Sequence, residues 1–496
     1  MTNGFSSTLL SRIGLSGTLL SVLLIAGAAQ AADEVSDSDS GAAVEAETSQ
    51  EGITETSPAP VAPDEETLPV APGEETLVLQ QKLIVQGGYG PNNSSLGEDR
   101  KGFYSLRYEP SLTWYAPQRQ FPTWQGFARA WLNYSSAQVT SPFQEPNEQQ
   151  PEYFSAELRE FYLRRNLLGD DPRYALSVGR QKFADHYGIW WDDTSEALRL
   201  DYTDTFSTAL FAVARKFSNY NTDANSLTDN ERDISYAMAE YALRWSEHNW
   251  VGTRLMYEQD DSDEDPNDRN DFRGARLGLF AHGDNLRVSP LFSDYRLELA
   301  ALEGDLDITD NLGVTQDEQV DGWALIGEIG KRFDQSPWTP RVSLRAGLTD
   351  SPSKQDEGFY LNNIQSDRVT NKETYTSGLL SSFVSVDLHN LAFYSLALET
   401  QPRPRHSFDL RLSDLHLRDA EGGIPLNLAD GLTASGSKSL GQVLDTNYYW
   451  EMLPIGVYGQ QMNLSLLASA GYFWSGDAVE GLGDDFQVNL GLVLRY

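Results

Sequence analysis

From residue 79 onward, apolar and polar positions alternate with a period of two. In "RVSLRAGL", Val342, Leu344, Ala346 and Leu348 fall on one side and Arg341, Ser343, Arg345 and Gly347 on the other. "SFDLRL" opposes Phe408, Leu410 and Leu412 to Asp409 and Arg411. "NLSLLASAGYFW" sets Leu464, Leu466, Ala468, Ala470, Tyr472 and Trp474 against Asn463, Ser465, Leu467, Ser469 and Gly471. Successive side chains of a strand point to opposite faces, so each segment is a strand with one apolar face. About 18 such segments follow one another, many of ten residues or more. Soluble sheets use strands of ~5–6 residues, whereas a strand that crosses a membrane needs ~9–11.

The connections alternate as well. After odd segments they are long and polar, as in "GPNNSSLGEDR", "TSPFQEPNEQQPE" and "NYNTDANSLTDNER". After even segments most are short, as in "LGDD", "SEHN", "DQSP" and "QPRPR". Short turns on one side and long loops on the other, with aromatic clusters such as "TWYAP" and "NYYWEM" near segment ends, predict an outer-membrane barrel. The predicted fold is all-β, an antiparallel transmembrane barrel of about 18 strands over residues 79–496. The chain ends "FQVNLGLVLRY", a strictly two-faced strand stopping at Tyr496. A closed barrel has no edge, so this strand must pair with the first. Tyr496 resembles the terminal aromatic signal read by the machinery that inserts outer-membrane barrels.

The N-terminal part has no such rhythm. Residues 1–31 combine Arg12, the apolar run "TLLSVLLIAGA" and small residues at "AQA", which predicts a signal peptide cleaved after Ala31. Residues 32–78 hold 13 Asp or Glu and no Lys or Arg, and "VAPDEETL" returns as "VAPGEETL". That composition predicts a disordered acidic arm, read as a spacer or as a lure for partners.

Charge and motifs narrow the chemistry. A net charge of -36 argues against nucleic acid as a partner, and the absence of cysteine excludes disulfides and thiolate metal sites. No His-Glu-x-x-His helix, Gly-x-Ser-x-Gly elbow or phosphate loop is present, and no cofactor is expected. "DDSDEDPNDRND" lacks the glycine and closing glutamate of a calcium loop and reads as solvated. Opposite clean apolar faces stand Arg254, Arg276, Arg345 and Arg411. These either line an anion path or form ladders with lumen acids such as Asp409 and Glu328.

At residues 157–223, "ELREFYLRR", "LSVGRQKF", "WWDDTSEAL" and "KFSNYNTD" resemble the alginate-export family of outer-membrane channels. "LGQVLD", "GDA" at 476–478 and the last strand resemble it too. The resemblance implies an 18-stranded barrel that passively exports an acidic uronate polysaccharide through a basic waist. It implies basic pore positions at Lys82, Arg159 and Lys182, acidic ones at Asp192 and Asp223, and a gapped match at Arg107. It also implies outer-membrane lipid, lipopolysaccharide, the barrel-assembly machinery and periplasmic export proteins as partners. The chain departs from the pattern at four places. "ETYTSGLLSSFVSVD" has no arginine, Leu467 and Ser469 stand where the family has an arginine pair, Asn219 and Asn221 replace an acid and a base, and "LPIGVYGQQ" is a short connection. The alternatives are an anion-selective porin and, from another class, an outer-membrane enzyme or adhesion scaffold.

Overall fold

The computed structural model describes residues 76–496 apart from stretches within the connections, the longest being 137–153, 263–269, 360–367 and 454–461. The expected signal peptide and nearly all of the expected arm lie outside the described residues. Eighteen strands form one closed antiparallel sheet. They are β1 (Thr76–Tyr89), β2 (Phe103–Tyr115), β3 (Trp124–Ser135), β4 (Phe154–Leu168), β5 (Asp171–Ala184), β6 (Asp192–Thr203), β7 (Ser207–Arg215), β8 (Ile234–Ser246) and β9 (Asn249–Asp260). The second half comprises β10 (Asn270–Gly283), β11 (Asp294–Thr309), β12 (Thr315–Arg332), β13 (Arg341–Thr349), β14 (Leu391–Arg403), β15 (His406–Leu417), β16 (Ser439–Leu453), β17 (Asn463–Ser475) and β18 (Asp485–Arg495). Two short pairings, Arg368–Asn371 with Tyr375–Gly378 and Thr433–Ala434 with Val479–Glu480, lie outside the wall.

Each strand pairs with its sequence neighbours, and the ring closes by pairing β1 with β18, Lys82 opposite Arg495. Gln81 and Tyr496 extend that seam by exchanging backbone bonds of 2.9 and 3.0 Å. Closure leaves no strand edge facing hydrocarbon, where an unbonded peptide group costs several kcal/mol. β1 starts at Thr76, so Thr76, Leu77 and Val78 belong to the wall although their composition assigned them to the arm.

The alternation read from the sequence is the alternation of faces. On β6, Leu198 and Leu200 are exposed outward while Arg199 and Asp201 are buried inward. On β13, Val342, Leu344 and Leu348 are outward and Ser343 is buried. Turns 169–170, 247–248 and 404–405 close one end, and 350–390 is the longest connection at the other. The short-turn end faces the periplasm by the usual asymmetry of such barrels.

The lumen is not an open pipe. A buried apolar cluster fills part of it, drawn from inward wall residues and from two connections folded into the barrel, 185–191 and 380–388. Its members include Tyr187, Ile189, Trp190 and Trp191 from the first and Phe383, Val384, Val386 and Leu388 from the second.

Candidate functional site

The inward faces of β1–β4 carry a cluster of charged side chains. There Lys82 Nζ sits 2.6 Å from Glu109 Oε2, and Arg107 Nε sits 2.7 Å from Glu109 Oε1. Arg107 and Arg159 each place a guanidinium 4.3 Å from the centre of the Trp131 ring. Arg159 Nη1 donates to Glu157 Oε1 at 2.7 Å, and its Nη2 lies 3.8 Å from Asp193 Oδ1. Arg129 pairs with Glu160. A β-bulge produces this crowding. Arg129 faces Glu160 and Ala130 faces Leu158, so Arg159 is an extra residue and charged side chains follow one another on β4.

The ion pairs are lopsided toward water. Side-chain exposures are 26% for Arg107 against 5% for Glu109, 30% for Arg129 against 7% for Glu160, and 21% for Arg159 against 12% for Glu157. The acids are tucked against the wall and the cations stand in front of them. The counted charges nearly balance, yet what the lumen meets on β1–β4 is positive.

The remaining expected positions divide. Lys182 lies 3.3 Å from Asp192, on the face of β5 and β6 opposite to Phe183 and Asp193. Arg345 Nη2 lies 2.6 Å from Glu328. Arg411 shares a register row with Ala397 and Asp445. Arg254 bonds Glu240 at 2.6 Å and also Glu298, and Arg276 reaches Glu258 at 3.5 Å. Both are buried, Arg276 completely; Arg254 shares Glu298 with Trp190 and Arg276 lies 5.8 Å from the Phe359 ring, so they brace the interior. Tyr496 stands at the β1–β18 seam, and Asp223 lies outside the described residues.

Three lumen features were not anticipated. Arg341 gathers Asp294, Glu328 and Glu399 at 2.6, 2.7 and 2.6 Å. Its signal was present, since it shares the polar face of "RVSLRAGL" with Arg345. The fold of 185–191 had no signal in the period of two. Asp185 organises it, accepting from the backbone N–H groups of Tyr187, Gly188, Trp190 and Trp191 at 2.9–3.1 Å. The Trp190 Nε1–H then donates to Glu298 at 2.5 Å, across the lumen on β11. Its ring rests on Gly278 of β10, where a Cβ would stand 2.2 Å from Trp190 Cζ2. The second connection is fixed similarly: Phe383 covers Gly471, Ser413 Oγ donates to the Leu380 carbonyl at 3.1 Å, and Asp387 N donates to the Pro425 carbonyl at 3.0 Å. Leu467 belongs to a small buried apolar cluster with Ile84 and Val493.

Comparison with known proteins fits this architecture. The sequence profile of the family described as alginate export matches residues 111–489. The chain is 26% identical to the alginate production protein AlgE of Pseudomonas syringae pv. tomato over 379 residues, covering 68% of this chain and 75% of that protein. It is 26% identical to AlgE of Pseudomonas aeruginosa over 354 residues, covering 66% and 71%. Among solved structures, Pseudomonas aeruginosa OccK8 (OprE) superposes with a TM-score of 0.54 at 12% identity, covering 85% of this chain and 97% of that one. Acinetobacter baumannii OccAB1 gives 0.54 at 9% identity, covering 84% and 96%. At these identities the structures share the barrel fold alone.

Proposed function

As this chain belongs to the alginate export family of bacterial outer-membrane barrels, and is an export channel by family and architecture, we propose that its cargo is an acidic, uronate-type exopolysaccharide moving along the cationic wall of β1–β4. The observation that carries the reading is the layering of charge there. Lys82, Arg107, Arg129 and Arg159 stand toward the lumen, with Glu109, Glu157 and Glu160 behind them. A low-dielectric wall focuses the field of such groups into the water beside them, which raises the local concentration of anions. The cations are held by pairs and by the Trp131 ring, so they present charge without collapsing onto the polymer. A chain that binds weakly at many fixed points can still slide. Transport is passive, driven by synthesis behind it.

The same charge layer favours a conduit over a catalyst. The lumen acids Glu240, Glu298 and Glu328 each engage arginine, as do those of the cationic wall, and an acid–base pair needs titratable groups facing one another. The apolar belt is the surface for lipid and lipopolysaccharide, the Tyr496 strand for assembly machinery, and the short-turn end for periplasmic export proteins.

The test is reversal potential in planar bilayers under a salt gradient, for the wild type, Arg129→Glu and Arg159→Glu. The wild type is expected to prefer anions although the whole chain carries -36, and each reversal is expected to shift preference toward cations. A cation-selective wild type overturns the uronate reading.

A further inference from the structure

Arg296 is a lumen cation without an ion-paired acid among the described residues. It lies on the inward face of β11, in register with His282 on β10 and Glu328 on β12. Directly opposite residues in a sheet stand ~4.5–5.5 Å apart, so these three form one row. Glu328 is already committed, accepting from Arg341 at 2.7 Å and from Arg345 at 2.6 Å. Glu298, two residues along, is committed to Trp190 and Arg254. Among the described residues no carboxylate lies within ion-pair distance of Arg296.

Two further polar groups beside it are unengaged. His282 and Tyr187 are both more than nine-tenths buried, and neither the Nε2 of His282 nor the hydroxyl of Tyr187 has a hydrogen-bond partner among the described residues. The Tyr187 ring lies 6.0 Å from the Arg296 guanidinium and 5.3 Å from that of Arg345. Burial pushes the Tyr187 phenol up to about 12, so its O–H remains a donor. Next to it His186 is exposed. Buried polar groups without partners are rare, because each forfeits the bonds it made with water. Here a strand pair and the 185–191 connection bring two of them beside the half-buried guanidinium of Arg296.

We propose that Arg296, His282 and Tyr187 form a carboxylate-binding subsite in the lumen that takes one uronate residue of the passing polymer. This rests on the exporter reading above. A guanidinium offers a planar fork that matches a carboxylate with two parallel bonds, and the phenol adds a third donor. A neutral sugar leaves the fork's charge unanswered. His282 is one residue from the end of β10 and Arg296 two from the start of β11, so the subsite faces the short-turn end. A polymer arriving from the periplasm reaches it early, on the side of the lumen away from the β1–β4 wall. It is a receiving point distinct from the sliding track.

The experiment is block of ion current in planar bilayers by a mannuronate trimer added on the short-turn side, with maltotriose as the neutral control. Arg296→Gln is expected to raise the half-blocking concentration about tenfold, which is about 1.4 kcal/mol. Arg296→Lys, which keeps charge but not the fork, is expected to lose less, and Tyr187→Phe to weaken block in the same direction. Maltotriose response should not change in any variant. Heat-dependent gel mobility verifies that each barrel is folded, and Tyr187→Phe carries the test if Arg296→Gln does not assemble. Undiminished trimer block in Arg296→Gln and Tyr187→Phe overturns the subsite while leaving the exporter reading intact, provided Arg159→Glu still shifts selectivity. A wild type that is cation-selective and unblocked by the trimer removes both.

Discussion

Gly278 is the position at which one added methyl group should dislodge the 185–191 connection. A Cβ there would stand 2.2 Å from Trp190 Cζ2, 2.8 Å from Cη2 and 3.1 Å from Cε2. The indole has to retreat by more than an ångström, and β10 cannot yield because it is bonded on both sides. Retreat breaks the 2.5 Å bond to Glu298, and a hydrogen bond to a charged acceptor contributes ~1.5–3 kcal/mol. It also uncovers part of a ring that buries ~150–250 Å² in full, at ~25 cal/mol per Å². The docked arrangement of Gly278→Ala should therefore weaken by about 2–4 kcal/mol, a shift of at least ~30-fold toward the undocked form. The barrel itself should keep its melting behaviour, since no sheet bond is lost. The chain has no native cysteine, so Ile189→Cys supplies a unique reporter from a position that is 1% exposed. The rate of its modification by a charged thiol reagent should rise at least ~30-fold when Gly278→Ala is added, with larger single-channel conductance. In a Trp190→Ala background the Gly278 substitution should add nothing, because the two act through one contact. Equal labelling rates with glycine and alanine at 278 would show that the connection is held by something other than this notch.

Two further outcomes are expected. Asp350, just past β13, accepts from Trp323 N and Phe359 N at 3.1 and 2.9 Å, and burial pushes its carboxyl up to about 7 from 3.8. Because the folded value is raised, ionisation costs docking free energy that sets in as pH rises above about 4 and is complete above about 7, roughly 4 kcal/mol at most. Proteolysis within 350–390 should be slower at pH 5 than at pH 8, and flat with pH in Asp350→Asn; the reverse slope refutes the assignment. Tyr496→Asp should lower outer-membrane levels far more than it alters conductance per assembled channel, and normal levels would remove the role of the terminal aromatic.

The wall was legible because lipid imposes its own grammar. Alternation at Leu198–Asp201 or Val342–Leu348 follows from hydrocarbon on one side, and loop asymmetry follows from the topology of insertion. The inward orientation of Arg254, Arg276 and Arg345 followed from parity alone. Their environment did not, since parity fixes a direction and not what lies there. On parity, Arg254, Arg276, Arg345 and Arg411 were candidates to replace the arginines lacking at Leu467, Ser469 and 373–387. Two of these four, Arg254 and Arg276, are instead buried, and the arginine-poor stretch supplies the apolar Phe383, Val384 and Val386 that fill the interior. Folded-in loops depend on tertiary notches such as Gly278 and on one carboxylate, Asp185, bonding four peptide groups. Neither leaves a periodic trace. Arg296 was missed because an unpaired cation is defined by where nearby acids are already committed.

The seam between β1 and β18 has a kinetic meaning. It joins Lys82 to Arg495, so the sheet cannot close until the last residues of the chain are available. Every other pairing is between sequence neighbours and can form as a growing row of hairpins, at little cost in loop entropy. The closing step alone pays for bringing together two distant ends, and until it happens β1 offers a bare row of peptide groups to any passing strand. The order of assembly is therefore dictated by topology: the first strand made is the last to be satisfied. A mutation at Tyr496 or Gln81 should lengthen the life of an open sheet without altering the finished barrel's lumen.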